Sequence, residues 1–270
     1  MNTSIEYSEI NTPKEFNECV ILQKEIFGLS DIDVIPAMFL NMVARKNPFM
    51  GIIVGIFKNI GATQKMIGFS INVSTGIDNS LYGVATGMLS EYQNKMYGYY
   101  VILKVREIAI ENNVKIIYVL YDPLEANLGR LYMQKFGFIG TKFIENAYQL
   151  NDDKDTTGVP NDKIFVEWDP ISNITCKKIE GKYECLSLKE ALDKYPVVDN
   201  IDYINDSPIL VHIPENFKEI KQANPKLAKE YRNKVRPIFD TYINKKGFKL
   251  TESFTGKINR KRMTYYLLEK

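Results

Sequence analysis

The sequence predicts an α/β fold, a mixed central sheet flanked by helices, followed by a smaller C-terminal α+β domain. Two observations predict it. Strand-length apolar runs alternate with amphipathic runs of helical period through residue 168, the pattern of layered α/β architectures. A polar loop at 151–163, "NDDKDTTGVPNDK", and the Asp169–Pro170 break then separate a second set of elements. The expected division is therefore 1–169 and 170–270.

The elements follow in order. "IEYSEI" alternates and reads as an opening strand. "TPKEFNECVILQKEIFG" reads as a helix with Thr12 as N-cap, Pro13 at the first position, Glu15 completing a capping box and Gly28 closing it. "DIDVIPAMFLNMVARKN" suggests a shorter helix. "MGIIVGIFKN" and "QKMIGFSINVS" read as a hairpin about Asn59–Gly61, and "LYGVATGMLS" as a further strand. "YGYYVILKVREIAIENN" is helical, with Val101, Val105, Ile108 and Ala109 on one stripe and Asn112–Asn113 as a left-handed end. "VKIIYVLY" reads as a strand buried on both faces. "DPLEANLGRLYMQKFG" reads as a helix capped by Asp122, with Pro123 at its first position, Glu125 at the third and Gly137 past its end. "KIFVEW" is the next strand. Beyond the break come a strand in "SPILVHIP", helix broken or kinked at Pro225 and Pro237, and strands "FKLTESF" and "RMTYYLLE". This strand–helix–strand–strand tail has the order of half of the preceding unit.

Composition excludes several classes. The 270 residues carry 35 Lys and Arg against 33 Asp and Glu, too balanced for a dedicated nucleic-acid binder. From Glu215 onward the balance is 15 basic to 6 acidic, whereas Asn151 to Pro214 has 7 to 13; a solvated helix face beside an acidic neighbour accounts for this. Three cysteines without metal-ligand spacing fit a reducing, cytoplasmic setting, and no metal is expected. The N-terminus has no signal-peptide pattern, and no run approaches the length of a membrane span. A bias toward Ile, Lys and Asn suggests a bacterial source. The one histidine, His212, reads as a structural strand residue and removes most His-based chemistry.

The chemistry concentrates in "SEYQNKMYGYYVILK", residues 90–104. A strand ending at Ser90, a loop and a helix starting near Tyr97 make an anion site from geometry alone, because the first helical amides lack intrahelical partners. Lys95 adds a charge, and a pyrophosphate is the natural guest. Tyr92, Tyr97, Tyr99 and Tyr100 would wall an adenine or acyl group, or simply pack.

The run from "GVATGMLSEYQNKMYGYY" through "VKIIYVLYDP" to "LYMQKFGF" resembles the acetyl-CoA motif of the GNAT N-acetyltransferase superfamily, with Gln93, Met96 and Gly98 on its Q/R-x-x-G-x-G/A pattern. "SEYQ", "YDPLEAN" and "PNDKIFVEW" resemble the "PEYQ", "DPL" and "VEW" motifs of one uncharacterised predicted branch, and the likeness runs through the tail. The resemblance implies acetyl-CoA as co-substrate and a small-molecule amine as acceptor. The pantetheine arm would pair with Met88, Leu89 and Ser90. The pyrophosphate would lie on Gln93, Asn94, Lys95, Met96, Tyr97, Gly98 and Tyr99, and Asn127 would bond the arm. Glu91 is the candidate base and Tyr132 the candidate acid that protonates the leaving thiolate. A homodimer is among the assemblies open to such a chain.

Two departures stand against it. Met96 replaces the first loop glycine; at positive φ its side chain costs about 1 kcal/mol or more, whereas at helical φ it is harmless. Tyr132 lies five residues before Gly137 where the family has its tyrosine four before, about 100° of helix rotation away, and Met133 takes the usual place. Each candidate also has a plainer reading: Tyr132 as core, Glu91 as solvated loop carboxylate, Asn127 as exposed helix polar. Tyr82, Thr86 and Asp122 are further polar residues near the strand ends. A GNAT-like module that binds CoA or another ligand without chemistry is the alternative function.

Overall fold

The structure, a computed structural model, describes residues 4–61, 63–93, 95–147, 158–201 and 206–270. The fold is mixed α/β, and the chain divides into two compact units, Met1–Tyr118 and Val119–Lys270.

The first unit is an antiparallel sheet in the order β1 (Ile5–Glu9), β2 (Gly51–Ile60), β3 (Thr63–Ser74), β4 (Ser80–Met88). Seven consecutive residues of β2, Gly51 to Phe57, are buried, which marks a strand covered on both faces. Helix α1 (Pro13–Phe27) starts on the expected capping box: Thr12 and Glu15 each bond the other's backbone, and Gly28 ends it at φ 68°. Its C-terminal turn lies against β4 so closely that a Cβ at Gly87 would come 2.7 Å from Phe27 Cζ. The short α2 (Ala37–Val43) is tied to α1 by Gln23, whose amide bonds the backbone of Ile35 in both directions at 2.8 and 3.1 Å. Helix α3 (Tyr97–Glu111) buries Val101, Val105, Ile108 and Ala109, the stripe read from the sequence, and Asn113 past its end is left-handed at φ 55°.

Strand β5 (Ile116–Tyr121) carries the division between the units. It is buried at Ile117 and Tyr121 and half-buried elsewhere, less covered than its apolar run suggests. The following helix differs from expectation. Asp122 does not cap it; the Asp122 side chain accepts from Leu124 N–H at 2.9 Å in a local turn, and α4 (Ala126–Gly129) begins three residues after Pro123. It passes directly into a π-helical stretch, Arg130–Phe136, before the left-handed Gly137 (φ 73°). Strands β6 (Ile139–Ile144) and β7 (Lys163–Trp168) follow.

After the Asp169–Pro170 break come α5 (Asn173–Ile179) and α6 (Leu188–Lys194), both unread in the sequence, then β8 (Ile209–Ile213). Pro225 separates α7 (Phe217–Ala223) from α8 (Pro225–Phe239), as expected. Pro237 does not end α8, which runs on into a second π-helical stretch, Asp240–Lys245. Strands β9 (Lys249–Ile258) and β10 (Lys261–Glu269) form a hairpin whose two turn residues, Asn259 and Arg260, both have positive φ, the requirement of the tight turn that matches strand twist.

The strand order from β5 onward is β5-β7-β6-β9-β10-β8, which reads alike from either end. Each three-strand set has a π-helical stretch, a left-handed glycine and a phenylalanine: Gly137–Phe138 and Gly247–Phe248. In both, the phenylalanine N–H bonds the carbonyl of a tyrosine six residues earlier, Tyr132 at 3.0 Å and Tyr242 at 2.9 Å. The sets meet at one ladder pair, Gly140 with Leu250, where a Cβ on Gly140 would stand 2.8 Å from Leu250 Cβ.

Candidate functional site

In the first unit, β4 ends at Met88 and the chain makes one 3₁₀ turn, Ser90–Tyr92, before α3. Leu89 is buried, and its amide is taken by Ile67 O at 3.0 Å. Ser90 and Glu91 are exposed. Gln93 Nε2 donates to Met88 O at 3.0 Å, so this side chain braces the strand end against the loop. Asn94 lies outside the described residues.

Met96 is the N-cap of α3 and is left-handed, φ 65° and ψ −1°. The loop geometry thus uses the conformation that favours glycine, and methionine holds it at a cost of about 1–2 kcal/mol. The Met96 carbonyl accepts from Tyr99 and Tyr100 N–H at 3.0 and 3.3 Å. The Tyr97 and Gly98 amides, at the first two helical positions, have no acceptor among the described residues. Met96 is 56% exposed.

Two ammonium groups flank this turn. Lys95 Nζ donates to Glu91 O at 2.7 Å and lies 5.7 Å from the Tyr92 ring centre. Lys58, on β2, donates to Tyr92 Oη at 3.2 Å and lies 5.1 Å from the same ring. Neither has a carboxylate partner among the described residues. Lys58 was missed in the sequence because 34 residues separate it from Tyr92. Tyr7 faces Tyr100 at 6.0 Å, and Tyr99 meets Tyr100 edge-on at 5.5 Å. Burial, with Tyr97 and Tyr100 nearby, pushes the Tyr7 hydroxyl up to about 12. On β4 itself, exposed Thr86 is hydrogen-bonded to buried Ser70 at 2.9 Å, and Ser70 accepts from Asn72 at 3.1 Å.

Tyr132 and Asn127 belong to the second unit. Asn127 is exposed and accepts from Arg130 at 3.1 Å. Tyr132 is half-buried, packed at 5.4 Å on Tyr121 and 4.8 Å on Phe138, and burial pushes its hydroxyl up to about 12. Met133 is fully buried and its sulfur accepts from Tyr121 Oη at 3.7 Å. The π-helical winding bears on the one-residue offset. Its i→i+5 bonds put about one more residue into each turn than an α-helix has. A residue five before Gly137 therefore takes roughly the direction that four before would take in an α-helix, and the offset of Tyr132 largely closes.

Asp122, read as a helix cap, is instead bound to the guanidinium of Arg232 on α8. Arg236 forks onto buried Asp162 at 2.9 and 2.6 Å. A cavity of about 310 Å³ beside β9, lined by Leu186, Leu188, Phe254 and Ile258 with Lys189 and Lys257, contains none of the sequence-predicted residues and no carboxylate. Among the described residues no group of three or more His, Cys, Asp or Glu is placed to hold a metal ion, and no helix is long and apolar enough to cross a membrane.

No family model matches the chain, and no curated protein matches it. Several solved structures are similar. A ribosomal-protein-alanine N-acetyltransferase from Brucella melitensis is 11% identical at a TM-score of 0.48, covering 61% of this chain and 99% of its own. An N-acetyltransferase from Staphylococcus aureus is 12% identical at 0.47, covering 63% and 99%. An acetyltransferase of the GNAT family from Streptococcus pneumoniae is 13% identical at 0.47, covering 61% and 98%.

Proposed function

We propose that the chain is a CoA-dependent N-acyltransferase of GNAT type, moving an acetyl group from acetyl-CoA to an amine of a small molecule. One observation carries this reading: the start of α3 has two amides, Tyr97 and Gly98, without a partner among the described residues behind a left-handed Met96, and Lys58 and Lys95 meet on the Tyr92 ring of the turn before it. Helix-terminal amides and two ammonium groups are the donor set a diphosphate requires. Residues 88–90 would hold the pantetheine arm and Asn127 would bond it.

In the reaction the amine nitrogen attacks the thioester carbonyl, the carbon–sulfur bond breaks and the thiolate leaves. Glu91 would accept the amine proton. Tyr132, whose raised hydroxyl stays protonated at neutral pH, would donate to the thiolate.

Calorimetric titration with acetyl-CoA tests the binding half, with ADP and pantetheine titrated separately. Saturable binding of acetyl-CoA and ADP that weakens in K58A/K95A is expected. No binding at millimolar acetyl-CoA would overturn the reading. A binding module without chemistry is the second reading, favoured by the side chain that Met96 places where a phosphate loop has glycine. It requires that acetyl-CoA stay intact through long incubation with a panel of amines.

A further inference from the structure

The second unit holds a buried cation most of whose hydrogen bonds are unmade among the described residues. The Arg232 side chain is 1% exposed. Its Nη2 donates to Asp122 Oδ2, while Nε and Nη1 have no hydrogen-bond partner among the described residues. Asp162 Oδ2 lies 3.9 Å from Nε, a charge neighbour beyond hydrogen-bond reach whose oxygens are already held by Arg236 and by the Asn146 amide. One face of the guanidinium is closed by the Phe217 ring at 5.0 Å. Buried donors are nearly always satisfied, so three N–H bonds of one guanidinium without an acceptor call for one.

The surroundings say what kind. Glu125 is pushed up, first by burial and then by Asp122, with Lys218, Lys163 and Arg232 acting against that rise. Lys163 is pushed down by burial, with Asp122 and Glu125 acting against the fall and Arg232 and Lys221 adding to it. Lys163 on β7, Lys218 and Lys221 on α7 and Arg232 on α8 thus share one electrostatic neighbourhood with Asp122 and Glu125, and the cations grade from buried Arg232 through half-buried Lys163 and Lys221 to exposed Lys218.

We propose that Arg232, with Lys163, Lys218 and Lys221, forms an anion site in the second unit for a small molecule bearing a phosphate or carboxylate group. Guanidinium is suited to both, since it stays charged and offers several donors in a plane. The site goes beyond the acyl-transfer reading and does not depend on it.

The test is thermal unfolding of the full chain with inorganic phosphate or succinate, against chloride at matched ionic strength. The start of α3 can also take phosphate, so K58A/K95A protein is used throughout. R232A would strip Asp122 of its counter-ion and endanger folding, so the probe variant adds K218A/K221A at the outer end of the cluster. Expected is a rise in Tm with millimolar phosphate or succinate that falls by at least half when K218A/K221A is added. The stronger of the two identifies the group. No rise with either anion, or a rise that K218A/K221A leaves unchanged, overturns the site.

Discussion

Replacing Met96 with glycine and, separately, with alanine isolates the strain in the α3 cap. Both variants remove the methionine side chain beyond Cβ, so lost packing and lost flexibility largely cancel between them. What differs is the backbone. A Cβ at φ 65° costs about 1–2 kcal/mol, whereas glycine there costs only the extra unfolded-state entropy, about 0.5–1 kcal/mol. M96G should therefore be more stable than M96A by about 0.5–1 kcal/mol. At a helical φ the order reverses, with alanine better by a similar amount. Urea unfolding of the two variants side by side reads the sign, and about 1 kcal/mol would shift Tm by roughly 2–4 °C in a chain of this size. If M96A is the more stable, Met96 is not left-handed, and the likeness of this turn to a glycine phosphate loop fails with it.

Removing Lys58 or Lys95 singly should weaken CoA about tenfold each, roughly 1.4 kcal/mol, with the loss shrinking in high salt; calorimetry across a salt series checks it. Y132F should cut turnover while leaving CoA affinity within about twofold, and equal turnover would remove Tyr132 as proton donor. Because the Tyr132 hydroxyl sits near 12 when folded, its donor form persists through neutral and mildly alkaline pH, so turnover should show no alkaline fall from this group below about pH 10; a pH–rate profile tests this. G129A should destabilise by about 1–3 kcal/mol or more, since the new Cβ would lie 1.9 Å from Tyr266 Oη, and thermal melts measure it.

Local signals were legible because neighbours in sequence make them. The capping box at Thr12 and Glu15, the α3 stripe and Gly137 after the first π-helical stretch needed only residues within a turn of each other. The rest depended on distant residues or on backbone torsions. Asp122 sits in a textually ordinary cap position, but Arg232, 110 residues away, holds it. Lys58 joins Tyr92 across 34 residues. The π-helical winding around Tyr132 was not read from residue spacing, because the apolar periodicity of this stretch is that of an ordinary helix and π-helical turns are rare. The torsion of Met96 was posed by the sequence as a choice between two values, and only the structure decides between them.

The mirrored strand order has a consequence for the chain as it is made. Until the last hundred residues emerge, β6 is paired with β7 on one side but lacks β9 on the other, where it stands as an open edge. In the same interval the Asp122 and buried Asp162 carboxylates lack the arginines of α8. A nascent or truncated chain ending at the Asp169–Pro170 break would therefore present both a free strand edge and two carboxylates without their arginines. Open edges are templates for pairing with another chain. Fragment 1–169 should run as oligomers on size exclusion even though it ends at a natural pause between elements, and a monodisperse monomer would show that the second set is not what shields the first.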